Sequence, residues 1–191
     1  MNTPTHMLMG AVCFGRSGRA ATTVAAMAGG VIPDLPAIVM VLFARYVQGV
    51  PMPTIFRDLY FSPSWQAVIG PTHSFLTWGA LLAVAMVAGF VLLRIFALSG
   101  LLHCAIDFPL HHDDGHRQFW PLSDWRFQSP VSYWDPAHYG GIVAPLEMGL
   151  AVVLAVILFA RHTSTPARIA FGAVLVLYAA QIVYFTIIFG G

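Results

Sequence analysis

Long apolar stretches separated by short polar connections dominate this chain. Three of them, residues 75–93, 142–160 and 167–189, contain no Lys or Asp; Glu147 is their one acidic residue, and Arg168 lies at an end. About 20 consecutive apolar residues are needed to cross the hydrocarbon core of a bilayer as an α-helix. Each of the three stretches therefore predicts a membrane-spanning helix.

Three further apolar segments are broken or short. Residues 20–48 are long enough to cross a membrane but are interrupted by GGVIPDLP, residues 95–108 end in a polar motif, and residues 6–14 are too short. Such segments are tolerated where they are buried among other helices or line a cavity. Residues 6–14 also lack the basic region of a signal peptide, so we expect them to be retained as a buried or partly inserted helix.

Together these segments predict a single all-α domain over residues 1–191. It would be a polytopic integral membrane helix bundle with about five membrane helices plus a short N-terminal helix. The composition agrees, because 58% of the residues are hydrophobic and 9% are charged, whereas soluble domains are about a quarter charged. The mean hydropathy is +0.76.

Charge and cysteine content narrow the classes of function. The chain has no Lys and a net charge of +1, so it offers no basic stripe and we expect no nucleic-acid partner. Cys13 and Cys104 lie in apolar helical segments, where two small buried side chains are a simpler interpretation than a disulfide or a ligand pair. Membrane lipids are the partner that the composition indicates.

Two long connections, residues 49–72 and 109–141, combine polar residues with many aromatic residues and prolines. Because Trp and Tyr favour the headgroup level, we expect both connections to lie at the membrane interface. If successive segments alternate in direction, both connections share one face, opposite the short turns at residues 16–19, 94 and 161–168. Arginines in these turns would make the turns cytoplasmic, although the long connections also contain arginines.

Five ionisable residues interrupt the apolar segments. His103 and Asp107 are four positions apart, so on a helix they project from one face. Asp34 lies in the break of residues 20–48, and His6 and His73 begin apolar segments. Ionisable side chains within a membrane are costly and indicate a functional site, and the topology above brings all five to one face. The sequence therefore predicts metal ligands at His6, Asp34, His73, His103 and Asp107.

A structural role is the alternative for each of these residues. His6 and His73 each follow a threonine at a helix start and could bond to backbone groups. Asp34 could cap the second half of the broken helix. His103 and Asp107 could form hydrogen bonds between helices.

A second polar cluster follows in the connection after residue 108. Its spacing suits a second metal or an acid–base group, and a solvated loop would look the same. Its members are His111, His112, Asp113, Asp114 and His116. A place among the polar residues of the interface is the simpler interpretation of Glu147 and, in the connection, of Asp124, Asp135 and His138.

Four motifs together resemble a known family. They are THMLMG at residues 5–10, GGVIPDLP at 29–36, THS at 72–74 and LHCAID at 102–107. The combination resembles bacterial inner-membrane proteins described as LexA-regulated, membrane-bound metal-dependent hydrolases, the YdjM-like family. The resemblance covers residues 3–121.

In that family the recurring polar positions are a His near the start, a Pro-Asp, a His-Ser and a His-x3-Asp. In this chain they fall on His6, Asp34, His73, His103 and Asp107. One difference concerns the His-Arg-Gly stretch that often precedes the His-Ser, because this chain has AVIGP at residues 67–71 instead. The resemblance implies an integral protein of the bacterial inner membrane that uses a metal for hydrolysis.

The first functional hypothesis is a membrane-embedded, divalent-metal-dependent hydrolase with His103 and Asp107 at the catalytic centre. A mixed His/Asp ligand set suits zinc best, with manganese or iron as alternatives. Five ligands exceed what one catalytic zinc usually takes, so either one residue acts as a general base or two ions share the set. A site on the aromatic face favours a lipid or lipid-linked ester as the substrate.

Two other functions are compatible with the same residues. A non-catalytic accessory or scaffold protein would use the metal to hold short helices together, and a closed ligand shell would favour it because catalysis needs an open coordination position. A small transporter would bind an ion at the Asp of a broken helix. The sequence contains no inverted repeat that would support a transporter. It indicates no particular protein partner.

Overall fold

The computed structural model describes residues 1–189, and the regular structure in this range is helical, without β-strands. Two short irregular helices accompany the α-helices: a π-helical turn (Ile55–Leu59) and a 3-10 turn (Pro136–His138). The α-helices are α1 (Thr3–Phe14), α2 (Ala20–Val31), α3 (Leu35–Tyr46), α4 (Met52–Thr54), α5 (Pro63–Thr72), α6 (Phe75–Val87), α7 (Val91–Asp107), α8 (Gly140–Arg161) and α9 (Thr165–Phe189).

Three stretches are long and apolar enough to cross a membrane: Pro63–Val87, Gly140–Arg161 and Thr165–Ile188. The pair of α2 and α3 would add a fourth, although the two helices bend by 60° at their break. With 17 residues, α7 is about 25 Å long, shorter than the roughly 30 Å hydrocarbon core. The all-α membrane bundle is confirmed, whereas the predicted total of about five spans is not confirmed.

The boundaries of the span predicted at residues 75–93 differ from the prediction. Residues 75–93 do not form one helix, because the chain turns at Gly89, whose φ of 70° lies in the left-handed region that favours glycine. The span instead extends backward through α5, where the Ser62 side chain accepts a hydrogen bond from the Trp65 backbone and Pro63 occupies the first turn. Much of the predicted connection 49–72 is therefore helical.

The short helix α1 lies against α2, α7, α8 and α9. It approaches α2 closely at Gly30, where a Cβ atom would stand 2.6 Å from the backbone oxygen of His6. One turn earlier in α2, the hydroxyl of Ser99 in α7 donates to the backbone oxygen of Ala26 (2.6 Å), and Gly10 of α1 lies against both groups. Small residues permit such close approach between helix backbones in a membrane. The resulting contact of α1, α2 and α7 sets the distance between His6 and the end of α7.

Glu147 of α8 holds the first turn of α1. Its side chain lies in the interior instead of at the interface, and its Oε1 accepts hydrogen bonds from the Asn2 backbone (2.8 Å) and the Thr5 hydroxyl (2.9 Å). The Asn2 side chain donates to the second carboxylate oxygen (3.0 Å). The first N–H groups of a helix have no intrahelical partner, and a carboxylate near them is favourable. Glu147 thus fixes α1 within the bundle.

Contacts between distant parts of the chain agree with the predicted arrangement of the connections. Arg161, at the end of α8, donates to the backbone oxygen of Val12 near the end of α1 (2.7 Å). Gln181 of α9 donates to Asn2 at the start of α1 (2.6 Å). The connection after α7 reaches the start of α6, where the Phe75 backbone donates to Gln118 (2.8 Å). The part of the first connection that precedes α5 packs against the last turns of α9 through Met52 and Ile55. It therefore lies, like the second connection, at the end of the bundle where α1 begins.

We predict that Gly30→Ala lowers the thermal midpoint of the detergent-solubilised protein, because its methyl group would meet the backbone of α1. Overpacking of this kind costs about 1–3 kcal/mol. Gly79→Ala is the matched control, since a Cβ atom there meets open space and Ala is favoured over Gly in a helix by about 1 kcal/mol. Equal midpoints for the two variants would contradict the close contact between α1 and α2.

A second prediction concerns sidedness. In a variant with Cys13 replaced by Ser, single cysteines at the exposed positions Ser64 and Gln128 should react with an impermeant thiol reagent from one side of the membrane. Cysteines at Ser17 and Thr163, which are exposed in the opposite turns, should react from the other side. Opposite sidedness of Ser64 and Gln128 would contradict the common face of the two long connections.

Candidate metal centre

All five predicted ligands meet in one buried cluster. His6 lies in the first turns of α1, Asp34 at the break between α2 and α3, His73 at the break between α5 and α6, and His103 and Asp107 in the last turns of α7. The side chain of Asp34 is 20% exposed, and those of the other four residues are almost inaccessible to solvent. The bundle therefore places residues separated by about a hundred positions around one point.

Both helix breaks turn a side chain toward this point. Asp34 precedes α3 but makes no capping hydrogen bond to it, which excludes the capping role considered above. Its Oδ2 instead accepts a hydrogen bond from the Thr3 hydroxyl (2.5 Å), and its Oδ1 lies 3.2 Å from Nε2 of His73. His73 follows α5 directly, two residues after Pro71. Irregular backbone inside a membrane protein is tolerated where it is buried, and here both breaks supply polar side chains.

The orientation of the rings is set by hydrogen bonds at Nδ1. His103 donates from Nδ1 to the backbone oxygen of Gly30 (2.9 Å), and His73 donates from Nδ1 to that of Ile69 (3.2 Å). A backbone oxygen can only accept, so Nδ1 must carry the hydrogen. In a neutral imidazole Nε2 then presents a lone pair, which is the usual arrangement of a histidine that binds a metal.

Those Nε2 atoms point at carboxylate oxygens. His103 Nε2 lies 3.1 Å from Oδ2 of Asp107 and 3.5 Å from Oδ1 of Asp34, yet it is buried and makes no hydrogen bond within the described residues. Two ligands about 2.1 Å from one ion stand about 3.4 Å apart in a tetrahedron and about 3.0 Å apart in an octahedron. The observed separations match a shared cation.

Asp34, His73, His103 and Asp107 offer ligand atoms that all lie within 4.8 Å of one another. Protonated histidines would be an alternative source of positive charge for the two carboxylates. The ring of His103 stacks on that of His6 with centroids 3.6 Å apart, so the two rings cannot both be charged without repulsion. The oriented imidazoles and the two carboxylates form a donor set that fits a divalent cation.

His6 differs from the other histidines in its contact with Asp107. Oδ1 of Asp107 accepts hydrogen bonds from Nε2 of His6 (2.8 Å) and from the amino group of Met1 (2.6 Å). Because Nε2 of His6 carries the hydrogen here, His6 holds the carboxylate and leaves Oδ2 facing His103. The assignment of His6 as a metal ligand stays a prediction.

The second cluster divides into residues that reach this centre and residues that do not. His111 and His116 are buried beside Asp107, and their ligand atoms lie within 4.8 Å of it. Asp114 accepts a hydrogen bond from Nδ1 of His111 (2.9 Å). By contrast, His112 donates to the backbone oxygen of Ser129 (2.6 Å) and stacks on His138, and Asp113 is exposed.

Burial and neighbouring charges shift the pKa values of three side chains in this connection, and not all in the same direction. Burial alone would lower the pKa of His111, but the charge of Asp107 and the hydrogen bond to Asp114 raise it to about 8. Burial, followed by the charges of His73 and His111, holds the pKa of His116 well below its usual range. Burial would raise the pKa of Asp114, but its hydrogen bond and attraction to His111 lower it.

Several groups that shape the centre were not among the predicted residues. The backbone oxygens of Gly30 and Ile69 orient two rings, and the Thr3 hydroxyl holds Asp34. Backbone oxygens carry no sequence signature, so only the motif GGVIPDLP could have drawn attention to Gly30. Asp114 was predicted within its cluster, but its contact with His111 required the folded loop.

Comparison with known proteins adds no relative. No protein-family model, no curated protein and no solved structure matches this chain.

Proposed function

We propose that the protein is an integral-membrane hydrolase that uses a divalent metal ion held by Asp34, His73, His103 and Asp107. The observation that carries this proposal is the approach of oriented, buried Nε2 atoms to carboxylate oxygens at distances of 3.1–3.5 Å. The four motifs quoted above support membership of the YdjM-like family and a place in the bacterial inner membrane.

Zinc is the ion that we propose for this ligand set, because imidazole and carboxylate together suit it, with manganese or iron as alternatives. When bound, such an ion supplies Lewis acidity, which polarises the bond to be cleaved and acidifies a water molecule. The protein's own part is orientation: Gly30 and Ile69 hold the rings of His103 and His73, and His6 holds Asp107. Such supporting contacts typically change metal affinity or activity by about 10–100-fold.

A lipid or lipid-linked ester is the substrate class that we propose. The cluster lies at the end of the bundle that carries the long aromatic connections, and Asp34 is its most exposed ligand. Asp34 also lies at the 60° bend between α2 and α3, where the two helices diverge. A substrate dissolved in the membrane would reach the ion at this bend.

A metal that only stabilises the fold is the second candidate, and the burial of the cluster favours it. Three of the four ligands are 3% exposed or less, and a closed ligand shell leaves no position for a substrate. In such a site the binding energy of the ion contributes directly to folding. The two candidates therefore differ in what removal of the ion does to stability.

We predict that the purified protein binds a divalent transition metal and that Asp34→Asn lowers its metal content. Asparagine has nearly the same size but lacks the negative charge that helps to hold a dication. Asp135→Asn is the matched control, because Asp135 pairs with His138 in the loop and is not one of the proposed ligands. Metal content should be measured by elemental analysis after preparation without chelators. Metal-free wild-type protein after zinc loading would contradict the proposed centre.

Thermal unfolding of the same proteins separates the two candidates. In a catalytic site the bundle folds without the ion, so Asp34→Asn and removal of the metal with a chelator should lower the thermal midpoint modestly and leave a cooperative transition. In a structural site, both treatments should lower the midpoint markedly or abolish the cooperative transition, because folding then depends on the binding energy of the ion. A large loss of thermal stability on chelation would favour the structural role.

We predict further that wild-type protein in nanodiscs cleaves a member of a panel of fluorogenic acyl-ester and phosphoester lipids. Cleavage should require the metal and should fall by at least about 100-fold in Asp34→Asn, since loss of a ligand exceeds the loss of a supporting contact. Asp135→Asn should retain wild-type activity. Metal-loaded protein without activity on either lipid class would count against the hydrolase and leave the structural role.

A further inference from the structure

We propose that the centre binds a second divalent ion, held by Asp107, His111 and His116, so that Asp107 bridges two ions. This inference rests on the proposed function, because Asp107 belongs to both ligand sets. It assigns a role to two residues of the second cluster and leaves His112 and Asp113 outside the site.

The first argument is the position of Oδ2 of Asp107. It lies 3.1 Å from Nε2 of His103 in the first ligand set and 3.5 Å from Nε2 of His111 in the second. Both separations fall close to the 3.0–3.4 Å that about 2.1 Å metal–ligand bonds produce. The other oxygen, Oδ1, is occupied by His6 and Met1, so Oδ2 is the one available to metal ions.

The second argument is the unsatisfied nitrogen of His111. Its Nε2 is buried and makes no hydrogen bond within the residues that the structure describes. Its Nδ1 pairs with Oδ2 of Asp114 (2.9 Å), and the same oxygen accepts a hydrogen bond from the indole of Trp134 (3.1 Å). A carboxylate behind a histidine is the usual support of a metal-binding imidazole. Asp114 therefore positions His111 and is not itself a proposed ligand.

The third argument is that this part of the connection is fixed to the bundle, which a solvated loop would not be. His116 stacks on His73 of the first ligand set, with ring centroids 3.7 Å apart. Two residues after His116, the backbone oxygen of Gln118 accepts a hydrogen bond from the backbone of Phe75 in α6 (2.8 Å). His111 and His116 are both 7% exposed. Buried imidazoles such as these two need partners for their polar nitrogens. A cation shared with Asp107 would be such a partner.

Three protein ligands leave a further coordination position at the second ion, which is the arrangement of catalytic sites. Ions that share a carboxylate lie about 3.5–4 Å apart in two-metal hydrolases. Two ions bring a total charge of +4. The two carboxylate ligands, Asp34 and Asp107, offset two of these charges. Asp114, which accepts a hydrogen bond from His111, offsets a third. The remaining positive charge favours an anionic group in the substrate.

The test counts zinc ions per chain. Wild-type protein in detergent is stripped with a chelator, reloaded with excess zinc, freed of unbound metal and assayed by elemental analysis. We expect two ions in wild type and one in His116→Gln. His112→Gln is the matched control, since this neighbouring histidine bonds to Ser129 instead, and it should retain two.

The outcomes distinguish the two proposals. One zinc ion per chain in wild type, or the same number of zinc ions per chain in wild type and His116→Gln, would overturn the proposal of a second ion. The first ligand set would be unaffected by this result. No ion in wild type would overturn both. Because the variant could fail to fold, wild type loaded with manganese provides an independent measurement: two bridged Mn²⁺ ions give an exchange-coupled paramagnetic resonance spectrum. A spectrum of isolated Mn²⁺ alone would also overturn the bridging role of Asp107.

Discussion

The buried carboxylate of Asp107 is the group on which the rest of the centre depends. It is contacted by three parts of the molecule: α1 through His6 and Met1, its own helix through His103, and the connection after α7 through His111. Removing a carboxylate from water costs several kcal/mol unless opposite charges and hydrogen-bond donors surround it. The fold satisfies this requirement by bringing donors to one oxygen and oriented imidazoles to the other, which leaves the second oxygen placed where it could bind a metal ion.

The position of α1 follows from two buried carboxylates together with close backbone packing. With 12 residues, α1 is about 18 Å long and cannot cross a membrane by itself. Glu147 holds its first turn, Asp107 holds His6, and Gly30 lets α2 approach its backbone. Polar contacts of this kind are favoured in a membrane because lipid offers no alternative partner. A helix too short to cross the membrane is thus held in the bundle by polar contacts, and one of these contacts positions Asp107.

The breaks in two helices connect architecture to chemistry. Regular helices satisfy their own backbone groups, so a polar side chain and an irregular backbone are both unfavourable inside a membrane unless they are buried in protein. Asp34 and His73 occur at such breaks, face each other at 3.2 Å, and are linked to the bundle by Thr3 and Ile69. The bundle thereby holds these candidate ligand atoms at the short separations that a shared ion would need.

The sequence by itself determined the helical membrane class and the five residues that meet at the centre, because apolar length and the cost of burying charge depend on residue type. It could not place the end of α6, since residues 75–93 are apolar on both sides of the turn at Gly89. It also could not separate His111 and His116 from His112. Adjacent histidines in an aperiodic loop look alike in sequence, whereas the deciding contacts, such as that of His116 with His73, join residues far apart in the chain. Only the tertiary structure decided which nitrogen of each ring faces a carboxylate, because backbone oxygens brought in by folding fix that choice.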